Sequence, residues 1–209
     1  MTAKNGQDYS TVDDSDLVAM ARDDQAAFGE LYERYVKKIY AYVYFRTGNH
    51  HDAEDLTARV FHRALVHIET YVERGVPFQA WLYKIAHNLV ANWHRDRNRR
   101  KVVPLDEFIA SGLRSEAPED TTEAQEERER LVQAISRLPD ERQQLLVLKF
   151  VDKLSNQEIG EIMDRSEGAI KSLYHRTLLA LRDELTAVQQ PESVRRSSNG
   201  AASKRLDNV

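Results

Sequence analysis

Leu154-Ser155-Asn156-Gln157-Glu158-Ile159-Gly160-Glu161-Ile162-Met163, followed by Asp164-Arg165-Ser166-Glu167-Gly168-Ala169-Ile170-Lys171-Ser172-Leu173-Tyr174-His175-Arg176, spells a helix, a tight turn and a second helix. Ser155 and Glu158 stand at capping-box spacing, in which the serine side chain takes one orphan amide and the glutamate returns to the cap's own amide. A helix therefore starts there. Ile159, Ile162 and Met163 give it one apolar stripe. Ser166 is placed to cap the next helix, where Ile170, Tyr174, Leu178 and Leu181 recur at helical spacing. The opposite face carries Lys171, Ser172, His175 and Arg176, cationic and hydrogen-bonding groups suited to base edges and phosphates. Such a pair presents a helix to the major groove of DNA; the alternative is an ordinary amphipathic pair with a solvated polar face.

Upstream, the block from about Asp14 to about Arg100 reads as all helix. Phe28, Leu31, Tyr32, Tyr35, Ile39 and Val43 follow the i, i+3, i+4, i+7 pattern, and Thr47-Gly48-Asn49 breaks it. Asp52 opens a second helix with the stripe Leu56, Val60, Ala64 and Ile68, its first turn crowded with Asp52, Glu54 and Asp55, where the helix dipole favours negative charge. Gly75-Val76-Pro77 interrupts again. Phe78, Trp81, Leu82, Ile85, Leu89 and Trp93 then mark a third helix. From Val102 to about Glu127 the periodicity dissolves into Pro104, Ser111-Gly112, Ala117-Pro118 and acidic residues, a linker by composition. A second helical block opens with Leu131, Ile135 and Leu138, breaks at Pro139, continues from Leu145 to Phe150 and ends in the helix pair. The expected organisation is all-α: a disordered N-terminus (1–13), a helical domain (14–101), an acidic linker (102–127), a helix-turn-helix domain (128–186) and a disordered tail (187–209), whose composition is Ser-, Gln-, Asn- and base-rich.

The 209 residues, 41% hydrophobic and 31% charged, suit small helical units with wide solvated faces. No apolar run is long enough to span a bilayer and residues 1–10 are polar, so a cytoplasmic protein without membrane insertion is expected. The absence of cysteine removes disulfides and thiolate metal sites. His50 and His51 stand in a turn, and His62, His67, His87 and His94 lack a carboxylate at helix-ligand spacing, so they read as surface or packing residues. No metal, cofactor or catalytic constellation is expected. The net charge of −4 is unevenly distributed: from Asp106 to Glu129 nine acids face two bases, leaving the remainder at about +3. Arg95 to Lys101 holds five bases against Asp96 alone, a patch of the sort that neutralises phosphates.

A helical domain, an acidic linker and a small domain ending in a helix-turn-helix together resemble the bacterial sigma-70 family, specifically its extracytoplasmic-function group. The likeness rests on three stretches in order. Asp52-Ala53-Glu54-Asp55-Leu56-Thr57-Ala58-Arg59-Val60-Phe61 resembles region 2.2, Phe78-Gln79-Ala80-Trp81-Leu82-Tyr83-Lys84-Ile85-Ala86-His87-Asn88 resembles region 2.3, and Leu154 to Leu181 resembles region 4.2. The resemblance implies a subunit that binds core RNA polymerase, on the clamp of the beta-prime subunit and the flap of the beta subunit, and directs it to promoter DNA. It also implies an anti-sigma factor as inhibitory partner.

Residue by residue, the resemblance puts Asp52, Glu54, Asp55, Thr57 and Phe61 against polymerase, a charged rim with an apolar anchor; the alternative for the acids is a plain helix N-terminus. Phe78, Asn88, Asn92, Arg95, Arg97, Arg99 and Arg100 fall to the minus-ten element. Tyr71 to Phe78 is similar to the loop that captures a flipped base, which needs a cavity and a stacking surface. Trp81 and Trp93 lie on the apolar stripe and are expected in the core. Ser166, Glu167, Lys171, Ser172, His175 and Arg176 fall to the minus-thirty-five element. The acidic linker either imitates nucleic acid in a basic polymerase channel or serves as a solubilising tether. The sequence also departs from the family pattern: Leu173 stands where a basic residue is common, Gly160 for alanine, Asn92 for aspartate, and Ala58-Arg59 for Gln-Glu. Two rival readings are a helix-turn-helix regulator acting without core polymerase, which leaves 52–88 unexplained, and a helical adaptor that binds only proteins, whose associations would be insensitive to salt.

Overall fold

A computed structural model of the chain describes residues 8–72, 76–97 and 122–189. Among them every regular element is helical: α1 (Asp14–Met20), α2 (Gln25–Thr47), α3 (His50–His67) with a 3₁₀ turn (Ile68–Thr70), α4 (Phe78–Arg97), α5 (Thr122–Ser136), α6 (Asp140–Leu146), α7 (Asn156–Met163) and α8 (Glu167–Gln189). The breaks lie where local chemistry puts them. Asp24 caps α2 by accepting from the Ala26 amide at 2.8 Å, and Gly48 ends it in the left-handed region at φ 66°, a conformation glycine adopts without penalty. Asn49 at once caps α3, accepting from Asp52 at 3.0 Å. Pro139 separates α5 from α6, and a wide π turn over Val147–Val151 continues α6 toward the helix pair.

The expected stripe of α3 is buried (Leu56, Val60, Ala64, Ile68) as α3 packs against α2 and α4, in one cluster with Leu31 and Ile39 of α2 and Leu82 of α4. The second unit is built around Leu145, Leu148, Ile159, Ile162 and Ile170, all fully buried. Each Leu or Ile taken out of water contributes roughly 1.5–3 kcal/mol.

Three features depart from expectation. Residues 8–13, expected to be disordered, are tied down by Arg34, which donates to the carbonyls of Val12 (2.8 Å), Tyr9 (2.8 Å) and Ser10 (3.1 Å) while pairing with Asp14 (2.8 Å) and Glu30 (2.9 Å). Helix α5 begins at Thr122, inside the expected linker, and α8 runs past 186 to Gln189. Third, the two units are not merely tethered. Helix α7 packs across α4, and the buried side chains of both units form one continuous cluster. Residues 98–121, with most of the linker and the bases Arg99, Arg100 and Lys101, lie outside the described residues, as do 1–7, 73–75 and the tail 190–209.

Arg34 holds five partners with one rigid fork, so its loss removes the bonds that fold Tyr9, Ser10 and Val12 back onto α2. Arg34→Ala is expected to cost about 1–2 kcal/mol and to speed hydrogen exchange at Leu17 and Val18 while leaving α7 and α8 unchanged. Equal protection of α1 in both proteins would contradict this anchoring role.

Candidate nucleic-acid interface

The capping box forms as its spacing predicts: Ser155 Oγ accepts from the Glu158 amide at 3.2 Å, and the Glu158 carboxylate accepts from the Ser155 amide. Helix α7 ends at Asp164, whose φ of 55° turns the chain left-handed, and the Arg165 amide returns to the Gly160 carbonyl at 2.9 Å. The turn is so tight that a Cβ at position 160 would stand 2.6 Å from the Arg165 carbonyl oxygen. Glycine at 160 belongs to this turn. Ser166 Oγ then accepts from the Ala169 amide at 3.2 Å and starts α8.

Along α8 the inward edge is Ile170, Leu173 and Thr177, while Tyr174 is half-buried and Leu178 exposed, so the stripe is rotated from the expected Ile170, Tyr174, Leu178, Leu181. Thr177 tolerates complete burial because its hydroxyl donates to the Leu173 carbonyl at 2.8 Å. Leu173 therefore packs inward. Lys171, Ser172, His175 and Arg176 all lie exposed on the opposite face, with Ser166 and Glu167 at its start. Lys171 pairs with Glu167 at 2.7 Å and Arg176 donates to the Ser172 carbonyl at 3.3 Å. Solvent-exposed links of this kind are weak enough to be exchanged for a phosphate or a base edge.

In the first unit, α4 carries Asn88 exposed and Asn92 half-buried, the latter accepting from Arg95 at 2.8 Å. The backbone of Arg97 closes α4, but its side chain, like Arg99 and Arg100, lies outside the described residues. Phe78 is not on this face. Its ring is 3% exposed, edge-on to Tyr35 and Tyr71 and tilted against Trp81 at centroid distances of 5.6–6.0 Å. It belongs to the core because it opens α4 directly above α2. Beside it lies a cleft of about 460 Å³ lined by Tyr71, Val72, Val76 and Trp81 together with Lys84 from α4 and Glu161 from α7. The Tyr71 hydroxyl donates to the Val76 carbonyl at 2.8 Å and braces the wall. Trp81, expected in the core, is only half-buried and presents its ring to this cleft.

On α3, Glu54 and Asp55 are exposed and Asp52 half-buried, but Thr57 and Phe61 are 5% and 4% exposed. Both point inward because they follow Leu56 and Val60 on the buried side of the helix. The apolar surface there belongs instead to Tyr32, packed edge-on against Phe61 at 4.8 Å, and Leu65, one turn beyond it.

Residues 31–100 match Sigma-70 region 2 and residues 128–181 match Sigma-70 region 4. The chain is 36% identical over 175 residues to the extracytoplasmic-function RNA polymerase sigma factor SigW of Bacillus subtilis, covering 78% of this chain and 90% of that protein. The chain belongs to the extracytoplasmic-function sigma factors. It is also 37% identical over 167 residues to BldN of Streptomyces coelicolor, covering 79% of this chain but only 63% of that longer relative. The fold is that of the sigma factor RpoE solved with the anti-sigma factor NepR of Bartonella quintana, at a TM-score of 0.55 and 21% identity over 78% of this chain and 98% of that one.

The groups between the two units carry no signal in the sequence. Gln144 of α6, 2% exposed, donates through its amide to the Tyr42 hydroxyl at 2.8 Å, lies 2.9 Å from His87 Nδ1, and accepts from Arg46 at 3.1 Å. Burial, then the nearby Arg46 and Lys84 charges, pull His87 down to about 4, and burial pushes the Tyr42 hydroxyl up to about 12. Asp152, just after the π turn, accepts from the Tyr83 hydroxyl and its carbonyl accepts from Gln79 at 3.4 Å. Burial raises its carboxyl to about 7, against the hydrogen bond from Tyr83 and the charge of Lys38. Lys84 pairs with Asp164 at the turn of the helix pair. Nothing in the spacing of these residues marks them, since each pair is separated by some 50–100 positions.

Proposed function

We infer that this chain binds core RNA polymerase and directs it to start transcription at specific promoters. The observation that carries the reading is the presence, in one chain, of an exposed helix-turn-helix face and a second helical unit with an aromatic cleft beside polar Asn88, Asn92 and Arg95. A regulator that only binds an operator has no use for the second unit. In this reading α8 takes the minus-thirty-five element in the major groove, with Ser166, Glu167, Lys171, Ser172, His175 and Arg176 on its face. The α4 surface takes the minus-ten strand, whose unstacked base the cleft between Tyr71 and Trp81 accommodates. Asp52, Glu54 and Asp55, with Tyr32 and Leu65 as apolar contact in place of Phe61, face the clamp of the polymerase, and the C-terminal unit meets the flap. An anti-sigma factor is the inhibitory partner, as in the complex of the fold neighbour. Catalysis belongs to the polymerase, and no group of three or more potential metal ligands occurs among the described residues.

Run-off transcription with purified core enzyme on a library of genomic promoter fragments tests the reading. Discrete starts that depend on the chain are expected; transcription equal to core alone on every fragment would end it. Within that assay Lys171→Ala and Arg176→Ala are expected to weaken promoter binding with core binding unchanged. A base-reading contact is worth about 1–3 kcal/mol and shifts preference at one position, whereas a phosphate contact weakens all sequences alike and flattens the salt slope. Loss of core binding in either variant would assign this face a structural role.

A further inference from the structure

Among the described residues two that are not glycine turn left-handed, Asp164 at φ 55° and Lys153 at φ 56°. Asp164 is the ordinary case, because a short polar side chain tolerates this conformation. Lysine has no such adaptation, and 153 is the position just past a helix end that glycine usually fills. A left-handed backbone of this kind persists only where the surroundings over-determine it. Here both neighbours are fixed. Before it, the Asp152 amide closes the π turn on the Val147 carbonyl at 3.2 Å, and the Asp152 side chain accepts from Tyr83. After it, Leu154 is 4% exposed, its amide donates to the Leu148 carbonyl at 3.0 Å and its own carbonyl accepts from Lys149 at 3.2 Å. The chain has to double back at residue 153, and the side chain there stays exposed.

The two lysines of this turn differ in what they hold. Lys149 is half-buried and its ammonium serves the Leu154 carbonyl. Lys153 forms no hydrogen bond or ion pair among the described residues. It does not finish the helix end either, because the Val147 and Leu148 carbonyls already hold the Asp152 and Leu154 amides. Glycine at 153 would relieve the strain, so a cation kept there without an internal partner has its use outside the chain. Its place in the fold says which use. Lys153 stands two residues before Ser155, the N-cap of α7, and α7 is the first helix of the pair whose second helix presents Lys171 and Arg176. In such a pair the second helix enters the major groove while the first crosses the sugar-phosphate backbone. Ser155 and Glu158 are engaged with each other's amides, which leaves Lys153 as the free charge at the entrance to the crossing helix.

We propose that Lys153 grips a phosphate of the promoter duplex beside the groove that α8 enters, and that its left-handed backbone is what turns the ammonium outward to do so. The entry of α8 into the groove rests on the function inferred above, whereas the strain at 153 and the lack of an internal partner do not. Lying outside α8, Lys153 adds grip without reading sequence.

Three variants of the full chain test this. Lys153→Gly removes charge and strain together, Lys153→Asn removes the charge with a side chain that accepts the left-handed region, and Lys153→Arg keeps the charge. Each is assembled with core polymerase and titrated over a series of salt concentrations against a promoter mapped by run-off, and is titrated without polymerase against a random-sequence duplex. One lost phosphate contact lowers the slope of log affinity against log salt by about 0.9, and so weakens binding roughly eight-fold at about 0.1 M salt. That loss is expected for the Gly and Asn variants on every sequence alike, with the ranking of promoters and the affinity for core unchanged. The Arg variant should keep the original slope. In a denaturant titration Lys153→Gly should be no less stable than the unsubstituted chain, since relief of strain offsets the added freedom of its unfolded state.

An unchanged salt slope in both the Gly and Asn variants overturns the grip. Loss of core affinity overturns it too, by placing Lys153 against polymerase instead of DNA. A lower denaturation midpoint for Lys153→Gly overturns the strain argument, because the side chain would then be held by packing within the chain. A holoenzyme that prefers no promoter, while the same variants still lose slope on the random duplex, supports the grip and counts against the promoter reading itself.

Discussion

Phe78→Ala is expected to lower the stability of the N-terminal unit by about 3–5 kcal/mol, the range for deleting a buried aromatic ring. At the size of this chain that is a fall in melting temperature of roughly 6–20 °C. Phe78 stands among the minus-ten contacts by resemblance, and a side chain whose work is to touch a base could be truncated with little change in melting. The structure gives the ring other work. It fills the space between Tyr35 of α2, Tyr71 after the 3₁₀ turn and Trp81 one turn along α4, so its removal unpacks three elements at once. Tyr71 and Trp81 are also the walls of the cleft, and without Phe78 behind them they lose their fixed separation. Strand binding should therefore weaken as a consequence of unpacking. Thermal unfolding followed by circular dichroism separates the two accounts: an unchanged melting temperature with weakened DNA binding would return Phe78 to the promoter surface.

The difference between what was legible in the sequence and what was not follows from range. Capping residues, glycine breaks and apolar stripes act within one or two turns, and Gly48, Ser155 and Ser166 each do in the fold what the sequence predicts, whereas the second helix, expected to open at Asp52, starts at His50 because Asn49 caps it. The exposed face of α8 was legible for the same reason, since a helix shows its polar side wherever its apolar side is buried. The edge of a stripe, one residue to either side, is less legible. Thr57 and Phe61 directly follow Leu56 and Val60, and a periodic pattern does not resolve the edge of a buried face to better than a residue. Leu173 and Thr177 were hidden behind the more conspicuous Tyr174 and Leu178. The junction between the units was illegible because Tyr42, Tyr83, Gln144 and Asp152 have no mutual spacing to read, and only the docking of α7 across α4 brings them together. Arg34 likewise looks like any helical arginine until Tyr9, Ser10 and Val12 are seen folded back onto it.

Gly160 is a helical glycine with a physical cause in the structure. Alanine would ordinarily be the better helix residue by roughly 1 kcal/mol, so its absence calls for a compensating constraint. That constraint is the 2.6 Å between a Cβ at 160 and the Arg165 carbonyl oxygen. The obstacle is backbone, held by the left-handed Asp164 and by the return of the Arg165 amide to the Gly160 carbonyl, so it cannot swing aside as a flexible side chain would. Gly160→Ala is therefore expected to destabilise the C-terminal unit by a net of about 1–3 kcal/mol despite the gain in helix propensity. Relief of the contact requires α7 and α8 to splay, and because α8 presents Lys171 and Arg176, promoter affinity should fall even at temperatures where the protein remains folded. Gly168 supplies the control within the same helix pair. A Cβ there meets nothing within 4 Å, so Gly168→Ala should stabilise the chain by about 0.4–1 kcal/mol through the reduced freedom of the unfolded state. Opposite signs for the two substitutions in a denaturant titration are the expected result. A stabilising Gly160→Ala would mean that the turn opens at little cost and that its tightness does not set the angle at which α8 meets DNA.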